Sequence, residues 1–187
     1  MNTSSPQKVV FDLPDAVATR GLGRALADIL EPGDMLILTG DLGAGKTTLT
    51  QGIGAGLGVQ GTIASPTFIV AREHQPGVRS DGRPGPGLVH VDAYRLGGLE
   101  ELDALDLDTT LEDCVTVVEW GAGLAESLTE DRLEIDMLRP RGAGLDLTQE
   151  DPEQGLRQVS IRAVGQRWQS LDWPRWAAGV RQAIATS

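Results

Sequence analysis

The chain has 187 residues, 40% of them hydrophobic, with 16 basic and 27 acidic side chains and a formal net charge of −11. That size and apolar content predict a single folded domain over 1–187 and exclude a mainly disordered chain. The acidic balance excludes the broad basic surface that unaided nucleic-acid binding needs. The one cysteine, Cys114, cannot form an internal disulfide, and with only His74 and His90 there is no Cys/His cluster for zinc. The N-terminal stretch lacks the apolar core of a signal peptide, and no run approaches the length of a membrane span. A cytoplasmic protein without membrane contact is the expectation.

In chain order, residues 14–30 place Val17, Leu22, Leu26, Ile29 and Leu30 at helical spacing, and Pro32-Gly33 ends that helix. Residues 35–39, MLILT, form a short apolar run that reads as a buried parallel strand leading into Gly40. After Lys46 the sequence reads as a helix despite its glycines. A strand is predicted at 66–71, then a Gly/Pro-rich loop at 73–87 joining two neighbouring strands. Further strands are predicted at 88–94 and 115–120, with an acidic stretch between them that is a solvated helix face or a contact surface. The alternation in 131–138 predicts a half-exposed strand, 139–157 a polar loop, and 158–164 a last strand. From Gly165 the tail carries Trp168, Leu171, Trp176, Val180 and Ile184 at the spacing of an amphipathic helix.

Gly40-Asp41-Leu42-Gly43-Ala44-Gly45-Lys46-Thr47 matches G-x-x-x-x-G-K-[ST] in full, between a predicted strand and a predicted helix. The glycines let the backbone turn so that several N–H groups face one hollow for phosphate oxygens. The following helix offers its positive end to the same anion. Lys46 reaches the terminal phosphates, and the Thr47 hydroxyl suits Mg²⁺. The expected ligands are therefore ATP and Mg²⁺, held by residues 40–47 and the adjoining Thr48. Two acids lie at the ends of predicted strands, Asp92 after LVHV and Glu119 after VTVV. The carboxyl ends of parallel strands face the ligand crevice, so both are candidates for the metal and for catalysis beside Lys46. The fold class that follows is α/β, a three-layer P-loop NTPase domain whose mixed sheet has a parallel centre and antiparallel edge strands. No N-K-x-D guanine reader is present, and no G-x-G-x-x-G follows a strand. Arg139 and Arg141 are the arginines weighed for a kinase-like role over a transferred phosphate.

The order GDLGAGKTT, SPTF (65–68), HVDAYRL (90–96), EEL (100–102) and VVEW (117–120) resembles the TsaE family, also called YjeE. The match runs from about Asp34 to Trp120. The resemblance implies an ATPase subunit of the bacterial machinery that forms threonylcarbamoyladenosine in tRNA. It would work with TsaD, which transfers the threonylcarbamoyl group, and TsaB, resetting that assembly between rounds. It also implies Thr47 as a metal ligand, Asp92 as the metal-associated aspartate, and Glu119 and Trp120 as the acid and aromatic of the site. Ser65-Pro66-Thr67 would be a switch-like loop in which Thr67 senses the γ-phosphate. Tyr94 and Arg95 would belong to a partner-facing or switch surface. Glu119 is the candidate for polarising the attacking water, directly or through the metal shell. A small-molecule kinase and an ATP-dependent binding switch with little turnover remain the alternatives. The tail, about 165–187, lies beyond the matched motifs and either covers a sheet edge or binds a partner.

Overall fold

A computed structural model of the chain describes residues 7–66, 70–105, 112–140 and 154–186. The first strand, β1 (Gln7–Asp15), was not among the predicted elements, yet its pattern is strict alternation. Val9, Phe11 and Leu13 are buried, while Lys8, Val10 and Asp12 face out. Asp15 then caps α1 (Ala16–Ala27): its carboxylate accepts from the Ala18 N–H at 2.8 Å.

Strand β2 (Met35–Thr39) runs into the phosphate-loop motif and α2 (Lys46–Leu57). The glycines within α2 have a packing reason. A Cβ at Gly52 would collide with the Arg20 backbone, and one at Gly23 of α1 with the Leu49 carbonyl. The two helix backbones thus touch, which offsets the roughly 1 kcal/mol that a glycine costs inside a helix.

Strand β3 (Ala71–His74) starts where the predicted strand at 66–71 was to end. Val70 has φ of 61°, which breaks an extended backbone, and its N–H donates to the Pro66 carbonyl at 2.9 Å. Residues 67–69 lie outside the described residues. Strands β3 and β4 (Gly87–Asp92) are antiparallel neighbours, as the loop between them predicts. The strand predicted at 88–94 stops at Asp92, whose carboxylate accepts from the Tyr94 N–H at 3.0 Å and opens a 3-10 turn, Ala93–Arg95. The remaining elements are α3 (Leu99–Asp103), β5 (Cys114–Glu119), β6 (Arg132–Leu138), β7 (Gln154–Val164) and α4 (Trp173–Ala185). Strand β7 begins four residues earlier than predicted, within what was read as a loop.

The seven strands form one sheet in the order β1-β7-β6-β2-β5-β4-β3. Strands β6, β2, β5 and β4 are parallel; β1, β7 and β3 are antiparallel. This is the α/β architecture of P-loop NTPases, a mixed sheet with a parallel centre. Helices α1, α2 and α4 cover one face, burying Leu22, Leu26, Leu49, Ile53, Trp168 and Trp173. On the other face α3 and short 3-10 turns cover only β2, β5 and β4, over Met35, Ile37, Val89, Val91 and Val118. The tail therefore belongs to the main core. Trp168 and Trp173 are buried, each contributing about 3 kcal/mol through its apolar area. Among the described residues no helix is long and apolar enough to cross a membrane.

Candidate nucleotide site

The parallel strands β2, β5 and β4 end together beside the N-terminus of α2. In register, Leu38 pairs with Glu119, and Asp92 with Glu119. Residue alternation then points Glu119, Val117, Val115 and, on β4, His90 and Leu88 toward the helix-covered face. A cavity of about 500 Å³ lies here, lined by Leu42, Gly43, Gly45, Lys46, Thr47, Thr48, Ser65, Asp92, Tyr94, Arg95, Glu119, Trp120 and Arg157.

The loop geometry follows from its glycines. Gly45 precedes α2 with φ of 105°, a left-handed conformation that favours glycine. Lys46 is buried and folds along its own loop, donating to the carbonyls of Gly40 at 2.7 Å and Asp41 at 3.0 Å. Its ammonium sits 3.9 Å from the Trp120 ring centroid, and Trp120 in turn packs on Tyr94 with centroids 5.2 Å apart. Trp120 holds φ of 62°, uncommon for a non-glycine residue and a source of strain beside the acid it follows. Burial pushes the Lys46 amine below its ordinary value, opposed by the nearby charges of Glu119, Asp92 and Asp41.

The two acids differ in their partners. Glu119 is 3% exposed; its Oε1 accepts from the Thr47 hydroxyl at 3.0 Å and lies 2.8 Å from His90 Nε2. Asp92 is 8% exposed and holds the Tyr94 N–H. Thr47, Asp92 and Glu119 are thus brought to one cavity, together with Lys46, Thr48 and Trp120. Of the other expected nucleotide-binding residues, Leu42, Gly43 and Gly45 line the cavity. Gly40 and Asp41 do not line it but hold the lysine through their carbonyls, and Ala44 is buried. Thr67 lies outside the described residues, whereas Ser65 is at the wall. Arg139 reaches the Gln154 carbonyl at 2.9 Å and does not line the cavity, and Arg141 lies outside the described residues.

Two residues at the site escaped the sequence reading. Arg157, on β7, is 1% exposed and lies beneath the loop, where a Cβ on Gly45 would come within 3.9 Å of its Nε. Extending the alternation of Val159, Ile161 and Ala163 backwards by two points it inward. His90 sits inside a recognised motif but had no assigned role. Cys114 is half-buried, and burial pushes its thiol up, with Glu73 and Asp113 adding to the shift, so it is unsuited to nucleophilic chemistry.

The family model for threonylcarbamoyl adenosine biosynthesis protein TsaE matches residues 13–143. The chain belongs to the TsaE family. It is 51% identical to a Streptomyces coelicolor tRNA threonylcarbamoyladenosine biosynthesis protein TsaE over 154 residues, 82% of this chain and 95% of that one. A Bacillus subtilis protein of the same name is 37% identical over 154 residues, covering 82% and 84%. Among solved structures, the crystal structure of Bacillus subtilis YdiB superposes with a TM-score of 0.64 at 27% identity. That match covers 97% of this chain and 99% of the other. The family match extends beyond the motif-bearing stretch on both sides, taking in Asp15 and all of α1 as well as β6. The chain's place is thus in the biosynthesis of threonylcarbamoyladenosine in tRNA.

Proposed function

We propose that this TsaE-family chain is a Mg²⁺-dependent ATPase that works beside TsaD and TsaB, its hydrolysis resetting their assembly between rounds. The observation that carries the reading is the 3.0 Å hydrogen bond from the Thr47 hydroxyl to Glu119. It joins the last residue of the phosphate-loop motif to the acid at the end of the neighbouring parallel strand. That pairing is what a P-loop enzyme needs to hold a nucleotide-borne metal.

The donor set fits magnesium. Thr47, Glu119 and Asp92 supply oxygen only, and no group of three or more His, Cys, Asp or Glu side chains among the described residues forms a self-sufficient metal cage. Mg²⁺ is held in this way by one or two carboxylates together with substrate phosphates. When bound, it would neutralise charge on the β- and γ-phosphates. The glycine-loop amides and the N-terminus of α2 receive phosphate oxygens, and Lys46 exchanges its two loop carbonyls for them. Glu119, tied to Thr47, takes the metal side. Asp92, in register on the next strand, is the metal-associated aspartate, and Glu119 polarises the attacking water directly or through the metal shell. Trp120 and Tyr94 wall the cavity at its mouth, where Tyr94 is 68% exposed.

Steady-state phosphate release tests this. We expect slow release by the chain alone, no change with tRNA, whose phosphates find no basic surface on a chain of net charge −11, and marked stimulation by TsaB and TsaD together. A rate indifferent to both partners, with phosphate passing to a metabolite, would instead make this a small-molecule kinase. ATP binding without measurable release under any of these conditions would make it a binding switch.

A further inference from the structure

His90 lies on β4, 0% exposed, one diagonal step from Glu119 on the same face of the sheet. Its neighbours along that face are Leu88, Val115 and Val117, all fully buried. An aliphatic or aromatic residue would suit such a place. The imidazole there makes one side-chain hydrogen bond, from Nε2 to Glu119 Oε1 at 2.8 Å, and its buried Nδ1 has no partner among the described residues. A buried polar atom left unsatisfied costs about 1–3 kcal/mol. The ring is therefore costly as packing, and its described polar contact goes to the carboxylate that also receives Thr47.

We propose that His90 is a positioning residue for Glu119, fixing the carboxylate's rotamer through an Nε2–H donor so that it stays aimed at Thr47 and the metal side of the site. The proposal rests on the ATPase reading above. A carboxylate oxygen only accepts, so Nε2 carries a ring proton. Both donors reach the same oxygen, Oε1, from two directions: Thr47 from α2 and His90 from β4. Thr47 alone leaves the carboxylate free to follow its hydroxyl. His90, on a rigid central strand, supplies a second fixed point that does not move with the phosphate loop. Outer partners of this kind orient the groups that touch a metal, and their loss typically lowers affinity or activity about 10- to 100-fold.

The amide substitutions separate positioning from packing. In His90→Gln the amide nitrogen can stand near the Nε2 position and donate to Glu119; in His90→Asn it stands near Nδ1 and falls short. We expect His90→Phe and His90→Asn to lower kcat for MgATP about 10- to 100-fold with the dissociation constant for MgATP held within about two-fold. His90→Gln should recover most of the rate. Circular dichroism and melting curves report folding, and if His90→Phe does not fold the Gln/Asn pair decides. A second readout is independent of turnover. The chain has only two histidines, so ring ¹⁵N–¹H spectra of the whole protein resolve them. A slowly exchanging Nε2–H should belong to His90, and it should be lost on Glu119→Ala. Wild-type kcat in His90→Phe, equal rates in the Gln and Asn variants, or a His90 ring with a proton on Nδ1 and none on Nε2 would overturn the proposal while leaving the ATPase reading in place. A wild-type chain that binds no MgATP would overturn both.

Discussion

At the N-terminal ends of the central strands, Arg79 donates to the carbonyls of Ala27 at 2.7 Å and Leu30 at 3.2 Å. Arg167 reaches the Ile29 carbonyl at 3.0 Å and both oxygens of Asp34 at 3.1 Å. These arginines take up the carbonyl of Ala27, the last residue of α1, and those of Ile29 and Leu30 just beyond it, where the helix dipole also favours positive charge. At the C-terminal ends of the same strands, Lys46 rests on two loop carbonyls, and Thr47 and His90 share one oxygen of Glu119. Both ends carry a cavity, and the larger is at the arginine end, about 580 Å³ against about 500 Å³. Size therefore does not locate the chemistry. At one end the cations Arg79 and Arg167 close the fold upon itself; at the other a lysine, a hydroxyl and two carboxylates converge on one cavity with partners that a nucleotide and its metal can replace.

Charge changes at the two ends should then separate function from stability. The largest effect belongs to the acids. Glu119→Gln and Asp92→Asn should each lower ATP turnover about 100-fold or more, because charge stabilisation is needed mainly in the transition state. MgATP affinity should change only a few-fold. Single-turnover phosphate release beside equilibrium titration makes the check, and an acid whose loss leaves the rate intact is only a strand-end carboxylate.

Next comes Lys46→Ala. Lys46 is the lysine of the cavity, so MgATP affinity should fall about 100-fold, worth roughly 2.7 kcal/mol, with circular dichroism unchanged. Calorimetric titration at matched protein folding gives the answer. Wild-type affinity in this variant would remove the nucleotide site from this end of the sheet.

The opposite result is expected at the arginine end. Arg167→Ala leaves the Asp34 carboxylate, 6% exposed, without its cation and strips the guanidinium from above Trp168. Breaking a fully buried pair costs about 3–5 kcal/mol, but the Arg167 side chain is 28% exposed, so about 2 kcal/mol is the expected loss by urea unfolding. MgATP affinity should be unaffected.

The end that carries the phosphate-loop motif was the more legible of the two. A phosphate loop is contiguous, its residue types are dictated by the ligand, and the strand–motif–helix order is written along the chain. Asp92 and Glu119 could be read because each ends an apolar strand. What stayed hidden depends on contacts distant in sequence. Arg157 reaches the loop from β7, behind a stretch with no periodicity, and its inward aim shows only once β7 is known to begin at Gln154. His90 was visible as a letter in a motif, but its contact with Glu119 is a cross-strand diagonal, which requires the β4–β5 register. Strand β1 has clean period-two alternation in Val9, Phe11 and Leu13 and was readable in principle. Much of the strand predicted at 66–71 lies outside the described residues; near its end Val70 has a left-handed backbone, which a β-branched side chain gives no hint of. Trp168 and Trp176 were read as part of an amphipathic pattern from Gly165, but the helix begins only at Trp173, and Trp173, which is buried, was not in that pattern. That they join the main core depends on packing against β1 and α1, where Trp176 meets Phe11.

The smallest effect is a pH dependence at the arginine end. The Asp34 carboxyl is raised above its ordinary value of 3.8, first by burial. The Glu31 N–H and then the charge and hydrogen bond of Arg167 pull it partway back, while the Glu31 charge pushes it up. Its native pKa therefore exceeds its unfolded one. Between the two values the native state holds more protons, so this group's contribution to stability is fully present below 3.8 and is lost as pH rises through the raised native value. Arg167→Ala removes two of the influences that lower that value, so the native pKa climbs further and the window widens upward. Well below 3.8 Asp34 is neutral in both proteins, and the variant's deficit there reflects lost packing and the guanidinium's hydrogen bonds to the Ile29 carbonyl and an uncharged Asp34. As pH rises toward neutrality the deficit should grow, because only the variant must carry the buried carboxylate without its cation. Urea unfolding of both proteins across this range gives the difference directly. A deficit that stays flat, or shrinks with rising pH, would mean that Arg167 serves as packing over Trp168 and not as the partner of Asp34.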